Sequence, residues 1–170
     1  FLFMDLVAST TIAERIGHKG YSDFIQECFQ DLTGVVLTHG GTIYQYVGDE
    51  VVMTWPEKLS GSRIRSVLAF FSYERILAER GAWYETRFGV VPVVRGGIAV
   101  GPVMATEVGE IKRAIAYHGD AINTASRLLD LCKEKRGRLL VSGEIASAVL
   151  EHHSVATDWQ DDVFMKGKNE

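Results

Sequence analysis

The first ten residues, "FLFMDLVAST" (1–10), place one aspartate inside a continuous apolar run. Such a run is typical of a strand that is buried on both faces, so we predict a β-strand over residues 1–7. Burial of an unpaired carboxylate carries a large free-energy cost. Asp5 therefore needs a partner or a place at the strand end near solvent. The simpler alternative is that Asp5 caps a helix that begins near Ser9 or Thr10.

The length and composition indicate one domain with a sizeable core. The chain has 170 residues, of which 46% are hydrophobic and 24% charged, as is ordinary for a globular protein. The net charge of −4 gives no broad basic face, so we expect no nucleic-acid partner. No apolar stretch approaches the ~20 residues of a membrane span. Cys28 and Cys132 fit apolar helical faces, which indicates core thiols in a reducing compartment.

Helical and strand-like patterns interleave and favour a mixed-sheet α/β or α+β sandwich. Residues 10–39 are predicted to be mostly helical, with a break near Gly17 and Gly20. The runs "TIYQYV" (42–47) and "EVVMTW" (50–55) predict a β-hairpin. The remaining predictions are a helix over 62–80, β structure over 91–109 and 111–117, a helix over 120–134, a strand over 138–142, a short helix over 143–150 and a last strand within 161–168. The strand-like start and abrupt end lead us to expect a domain excised from a longer chain.

A second carboxylate, Asp49, falls at the predicted hairpin turn. If the first strand pairs between the two hairpin strands, Asp5 and Asp49 meet at one sheet edge. Adjacent carboxylates repel each other, which favours a bound cation, and removal of either would relieve the repulsion. Mg²⁺ prefers one or two carboxylates with water and substrate phosphates, so the pair indicates a two-metal phosphoryl-transfer site. Glu50 is a third candidate ligand, but strand alternation favours its facing solvent.

A third polar site lies in "GDAINTASRLLDLC" (119–132). On the predicted helix, Asn123 and Arg127 are four residues apart and share a face. The predicted core face comprises Ile122, Ala125, Leu129 and Cys132. An amide and a guanidinium suit ribose and phosphate oxygens. The alternative is an ordinary polar pair on a solvated helix.

Together these stretches resemble the catalytic domain of class III nucleotidyl cyclases, the family of adenylate and guanylate cyclases. The matching motifs are F-x-D-L-x-x-S-T (3–10), Y-V-G-D-E-V-V-M (46–53), R-G-G-I-A-V-G (95–101), G-D-A-I-N-T-A-S-R (119–127) and F-M-K-G-K (164–168). They run in the family's order and span nearly the whole chain. Each motif alone is a weak signal, and the ordered set is a strong one.

The resemblance implies an α+β fold: a ferredoxin-like βαββαβ core with extra strands and helices, and a mixed, mostly antiparallel sheet flanked by helices. It implies a lyase that converts a nucleoside triphosphate to the 3′,5′-cyclic monophosphate and pyrophosphate for intracellular signalling. It also implies a head-to-tail homodimer with active sites at the interface. The domain is expected to be cytoplasmic, with regulatory or membrane domains elsewhere in the full-length protein.

The resemblance further implies roles for individual residues. Asp5, Asp49 and the Leu6 carbonyl are expected to hold two Mg²⁺ or Mn²⁺ ions per active site. From across the dimer interface, Asn123 is expected to orient the ribose. Arg127 is expected to stabilise charge that develops at the α-phosphate. The expected phosphate-binding residues are Ser9, Thr10, Arg95, Lys166 and Lys168.

The base-selecting positions depart from the family pattern. The family commonly uses Lys with Asp or Thr for adenine, and Glu with Cys for guanine, where this chain has Gln45 and Ala116. A glutamine amide can donate to adenine or accept from guanine, so we expect only a modest preference for ATP over GTP. One alternative is a degenerate cyclase-like module that binds nucleotide or mediates dimerisation. Another is a diguanylate cyclase, suggested by V-G-D-E-V (47–51), although that family lacks the Asn-x-x-x-Arg helix.

Overall fold

The computed structural model describes residues 1–111 and 113–152. Its elements are β1 (Leu2–Leu6), α1 (Ser9–Thr38), β2 (Thr42–Val47), β3 (Glu50–Thr54), α2 (Ser62–Glu79), α3 (Gly81–Phe88), β4 (Val94–Ile98), β5 (Met104–Val108), β6 (Ala114–His118), α4 (Asp120–Glu134), β7 (Leu139–Val141) and α5 (Gly143–His152). The predicted last strand, with Lys166 and Lys168, lies outside the described residues.

The main sheet has the strand order β2-β3-β1-β4-β7, and β5 and β6 form a separate hairpin. Every pair of neighbours in the main sheet is antiparallel except β4 and β7, which are parallel. The elements β1-α1-β2-β3-α2-β4 give the ferredoxin-like order, with β7 added at one edge. The prediction of an α+β fold with a mostly antiparallel sheet is therefore confirmed.

The first strand lies between β3 and β4, so the condition under which Asp5 and Asp49 were to meet, a first strand between the two hairpin strands, is not fulfilled. The register pairs Met4 with Val51 on one side and with Gly96 on the other. β2 and β3 pair directly with each other because the turn of Gly48 and Asp49 is too short to admit a third strand. The central position of β1 explains its apolar sequence, since all five of its residues are buried.

The two faces of the sheet have separate cores. Leu2, Met4 and Leu6 contribute to the larger core, which includes residues of α1 and α2. Phe3 points the other way and packs in a smaller cluster with Leu128 and other residues of α4. Because side chains alternate along a strand, Asp5 lies on the same face as Phe3, beneath α4.

Two helical features test the sequence predictions further. The break predicted near Gly17 is confirmed by its φ of 73° and ψ of 166°, whereas Gly20 lies within the helix. The short helix α3 was not predicted, because tertiary contacts stabilise it. The Tyr84 ring is fully buried and its hydroxyl donates to Asp31 Oδ2 over 2.7 Å. Arg80, just before α3, forms an ion pair with Asp31.

Within residues 1–111 and 113–152, no helix combines the length and apolar character needed to cross a membrane.

Candidate active site

Asp5 lies near the C-terminal end of β1 and is 8% exposed. Its carboxylate has two cationic neighbours. Arg95 Nε lies 3.1 Å from Oδ1, and Lys133 Nζ lies 2.9 Å from Oδ2. Arg95 comes from the adjacent strand, where the register pairs it directly with Asp5, and Lys133 comes from the last turn of α4. The prediction that Asp5 has a partner is thus confirmed. The helix-capping alternative is wrong, since α1 has no side-chain cap.

One oxygen of this carboxylate is buried against Arg95 without a hydrogen bond. Asp5 Oδ1 and Arg95 Nε are both buried and lack a well-aligned hydrogen-bond partner among the described residues. Their 3.1 Å approach is therefore an electrostatic contact and not a proper hydrogen bond. An unsatisfied buried carboxylate oxygen is costly unless a ligand completes its environment.

Asp49 lies in the β2–β3 turn and is half-buried. Burial, followed by the charge of Asp49, raises the pKa of Tyr21 in α1, and Ser9 at the start of that helix opposes the rise. Asp49 on the hairpin turn and Ser9 on α1 thus both act on the same hydroxyl.

Glu50 faces the site, and the expectation that it faces solvent is wrong. Strand alternation cannot be counted from Asp49, because that residue belongs to the turn. Counted from Val52, which packs in the cluster under α4, alternation places Glu50 on the α4 side of the sheet. The register that pairs Met4 with Val51 brings the next residues, Asp5 and Glu50, opposite each other.

The charges around Glu50 support this placement. Burial raises the pKa of Glu50, and the Lys133 ammonium opposes that rise. The carboxylates of Asp5, Asp130 and Asp49 reinforce the rise. Lys133 shows the complementary effect. Burial alone lowers its pKa, but the hydrogen bond and attraction to Asp5 outweigh burial and leave the pKa raised. The ends of the central strands β1 and β3 thus lie among several carboxylates and one ammonium.

The N-terminus of α1 provides backbone donors beside this cluster. Ala8 precedes the helix in the left-handed conformation, with a φ of 58°, and no side chain caps the first turn. Ser9 is half-buried and Thr10 is exposed at this end. The free amide groups of a helix N-terminus favour phosphate oxygens, which fits the predicted phosphate-binding role of both residues.

Asn123 and Arg127 share the outward side of α4, as their spacing predicts. Asn123 is exposed and Arg127 is half-buried, and neither has an ion pair or hydrogen-bond partner in the described part of the chain. The buried residues of α4 are Ala121, Thr124, Ala125, Leu128, Leu129 and Cys132. The predicted core face is therefore confirmed for Ala125, Leu129 and Cys132, whereas Ile122 is only half-buried.

The same helix separates this pair from Asp5. Lys133, which contacts Asp5, follows Arg127 by six residues and Asn123 by ten. Those separations correspond to about 9 Å and about 15 Å along the helix, and Arg127 is turned about 120° away from Lys133. One chain consequently holds the acidic cluster and the Asn–Arg pair at different places.

The two positions predicted to select the base lie on two strands whose neighbouring residues form aromatic contacts. Gln45 is exposed on β2, next to a register shift, and Ala116 is half-buried on β6. Their chain neighbours Tyr44 and Tyr117 contact edge to face, with ring centroids 4.9 Å apart. Tyr117 also contacts Phe1, with centroids 5.4 Å apart. These contacts connect the β5–β6 hairpin to the main sheet near the two positions.

The donor set fits magnesium despite its small size. The described residues contain no group of three or more Asp, Glu, His or Cys side chains arranged to hold a metal. Mg²⁺ does not require such a group, because it takes one or two carboxylates and completes its shell with water and phosphates. Asp5 and Asp49 are of the residue type that such a shell uses, and their pairing at one metal site stays a prediction.

Lys133 and Glu50 are the site residues that sequence reasoning missed or misplaced. Glu50 directly follows Asp49 of the second motif, so the sequence does point to it. The alternation of side chains was counted from Asp49, which belongs to the turn, and not from a residue of β3. Lys133 is the last basic residue of α4, and its pairing with Asp5 depends on which sheet face the helix covers. No local pattern gives that information.

The fold and site together define a class: a ferredoxin-like α+β domain with an acidic site at the end of its central strands. Comparison with known families makes this specific, since the family described as "Adenylate and Guanylate cyclase catalytic domain" matches residues 1–170. The chain belongs to that family.

Characterised relatives include both cyclase types. Adenylate cyclase 2 of Rhizobium meliloti is 35% identical over 146 residues, covering 85% of this chain and 40% of that protein. Retinal guanylyl cyclase 2 of Rattus norvegicus is 30% identical over 128 residues, covering 74% of this chain and 12% of that protein. The chain therefore spans well under half the length of these relatives.

A solved structure shows the same fold. The adenylyl cyclase CyaB from P. aeruginosa superposes with a TM-score of 0.84 at 21% identity, covering 99% of this chain and 87% of that one. At 21% identity, this similarity is evidence for the shared fold only.

Proposed function

We propose that this domain is an active nucleotide cyclase that converts a nucleoside triphosphate to its 3′,5′-cyclic monophosphate. The supporting observation is the division of polar groups. The acidic cluster lies at the ends of the central strands, whereas Asn123 and Arg127 lie on the outward side of α4 without a side-chain partner among the described residues. Both residues are offset along α4 from Lys133, the residue of that helix that contacts Asp5. This separation supports a site that is shared between two chains.

In the proposed site, Asp5, Asp49 and the Leu6 carbonyl hold two Mg²⁺ or Mn²⁺ ions. Such ions polarise an attacking hydroxyl and neutralise phosphate charge when bound. Leu6 is suited to this role by position, since it ends β1 one residue after Asp5. The α4 helix and the neighbouring strand keep Asp5 out of bulk water, which strengthens its electrostatic interactions.

The phosphates are assigned to the groups beside the acidic cluster. The first amides of α1, with the hydroxyls of Ser9 and Thr10, receive phosphate oxygens. Arg95 is held beside Asp5 and offers its remaining guanidinium nitrogens to the triphosphate. Lys166 and Lys168 are proposed to contribute from the C-terminal segment.

The partner chain completes the chemistry in a head-to-tail homodimer. Its Asn123 orients the ribose, and its Arg127 stabilises negative charge that develops on the α-phosphate. A bond forms between the ribose O3′ and the α-phosphorus, and the 3′-hydroxyl gives up its proton to solvent. The bond from that phosphorus to the oxygen that bridges to the β-phosphate breaks, and pyrophosphate leaves with that oxygen. We propose ATP as the preferred substrate and GTP as a weaker one, since Gln45 can pair with either base.

The test is to incubate the 170-residue chain with ATP or GTP and Mn²⁺. The product is identified by mass, and pyrophosphate is measured in parallel. Arg127→Ala is the control for enzyme-dependent release. Cyclic product from the unaltered chain supports the proposal. Nucleotide binding with no pyrophosphate release would instead favour the degenerate-module alternative, which the departures at Gln45 and Ala116 support.

A further inference from the structure

Lys133 has a position that the proposed reaction leaves unexplained. Its ammonium lies 2.9 Å from Asp5 Oδ2 and 3.4 Å from Asp130 Oδ1. Its side chain is 36% exposed, whereas that of Asp5 is 10% exposed. A flexible cation at the edge of solvent therefore pairs with a buried carboxylate that we assign to metal binding.

The two cations beside Asp5 differ in how easily they can leave. Arg95 is fixed on the adjacent strand as the cross-strand partner of Asp5, and its side chain is only 16% exposed. Lys133 extends from the end of a helix on a four-carbon stem with several rotatable bonds. It also has a second acceptor, since Asp130 lies one turn earlier with a side chain that is 68% exposed.

Asp5 Oδ1 is buried against Arg95, so a divalent cation would bind the other oxygen, Oδ2. A divalent cation on Oδ2 is incompatible with Lys133 in its present position. Mg²⁺ binds carboxylate oxygens at about 2.1 Å. An ammonium in hydrogen-bonding contact with the same carboxylate would meet strong repulsion from that ion. Rotation of Lys133 toward Asp130 and solvent removes the conflict, while Arg95 keeps its place.

We propose that Lys133 is an exchangeable counter-cation, which neutralises Asp5 in the metal-free chain and is displaced when a divalent cation binds. This inference rests on the proposed metal role of Asp5. Lys133 is thus a positioning residue that lowers metal affinity while it keeps the empty site stable. Metal binding and the Lys133–Asp5 ion pair exclude each other.

The test is direct titration of the 170-residue chain with Mn²⁺ in the absence of nucleotide, with free Mn²⁺ followed by electron paramagnetic resonance. Lys133→Met keeps the apolar stem and removes the charge. Its Mn²⁺ dissociation constant should fall roughly three- to tenfold, as expected for loss of one partly exposed competing ion pair. Lys135→Met is the matched control, because Lys135 is exposed just after α4 and pairs with no acid in the described residues. It should bind Mn²⁺ like the unaltered chain.

Thermal unfolding supplies a second readout. Without metal, the Lys133→Met variant should have a lower melting temperature than the unaltered chain. Added Mn²⁺ should raise the melting temperature of the variant by more than it raises that of the unaltered chain. If Lys133→Met is poorly folded, Lys133→Gln, which keeps a hydrogen-bond donor without the charge, should show the same direction. A purely structural lysine would lower the melting temperature without tightening Mn²⁺ binding, and that result overturns the inference. Unchanged or weaker Mn²⁺ binding by both variants overturns it as well.

Asp5→Asn separates this inference from the proposed function. If Asp5→Asn binds Mn²⁺ like the unaltered chain, the metal is not on Asp5 and the Lys133 inference fails with that assignment. If Asp5→Asn abolishes binding but the Lys133 variants bind like the unaltered chain, only the Lys133 inference fails. Failure of the cyclase proposal is a separate result, namely the absence of cyclic product from the unaltered chain.

Discussion

Gly97 lies directly against the backbone of Leu129, so that α4 rests on β4 without an intervening side chain. A Cβ atom at Gly97 would lie 2.9 Å from the Leu128 carbonyl carbon, and closer still to the Leu129 nitrogen and the Ala125 oxygen. All three are backbone atoms, so no side-chain rotation can relieve the overlap. Gly97, the second glycine of the R-G-G-I motif, therefore determines how closely α4 packs against the sheet.

Gly97→Ala should displace α4 and lower the free energy of unfolding by about 2–3 kcal/mol. Cyclase activity should fall by more than the loss of folded protein explains, because Asn123 and Arg127 move with α4. Gly34→Ala is the matched control, since a Cβ there meets nothing within 4 Å in an exposed turn of α1. It should stabilise the chain by about 0.5–1 kcal/mol. Urea unfolding measures both, and a Gly97→Ala variant as stable as the control would refute this packing.

Asp5→Asn and Asp49→Asn should both abolish cyclic product, but with different effects on stability. Asp5 is buried between two cations, so its loss leaves Arg95 uncompensated and should cost about 3 kcal/mol. This reverses the sequence-based expectation that relief of repulsion would stabilise the metal-free chain. Asp49 is half-exposed in a turn, and its variant should stay within about 0.5 kcal/mol of the unaltered chain. Equal unfolding free energies for the two variants would show that the Asp5 ion pairs contribute little.

Mixing two inactive variants should restore activity if each site draws on two chains. Asp49→Asn damages the acidic side and Arg127→Ala the helical side, so each homodimer alone lacks one part of every site. Half of randomly paired dimers are mixed, and each mixed dimer holds one intact site, so recovery should reach roughly a quarter of the unaltered activity. Activity of the unaltered chain should also fall on dilution. A mixture that remains inactive after verified subunit exchange would place all catalytic residues within one chain.

Substrate choice should respond to paired changes at the base-selecting positions. The unaltered chain should prefer ATP by a modest factor, because Gln45 can rotate its amide to suit either base and Ala116 has no group to leave unpaired. Gln45→Lys with Ala116→Asp should raise the ratio of kcat/KM for ATP over GTP, and Gln45→Glu with Ala116→Cys should lower it. Both ratios are measured with Mn²⁺ on variants of matched melting temperature. Ratios that do not change would show that other residues read the base.

The sequence alone determined most of the local structure. Helix α4 occupies the predicted residues 120–134, because its apolar residues recur with a clear helical period. The hairpin around Gly48 and Asp49 was equally predictable, because two strand-like runs joined by a short turn have few other ways to pair. The order of the motifs also led to the correct family. These features depend on neighbours within a few turns or strands, and such neighbours are visible in the sequence.

Only the tertiary structure decided which charged groups meet. Asp5 pairs with Arg95 because β4, and not the hairpin, supplies its second neighbour in the sheet. Lys133 reaches Asp5 because α4 covers the face that bears Phe3. Glu50 lies in the site because it is the first residue of β3 after the turn. The alternation of side chains between the two faces of the sheet is therefore counted from β3 and not from Asp49. Each of these contacts joins distant segments, and strand order and helix placement are fixed by burial of the whole core, which no single stretch of sequence encodes.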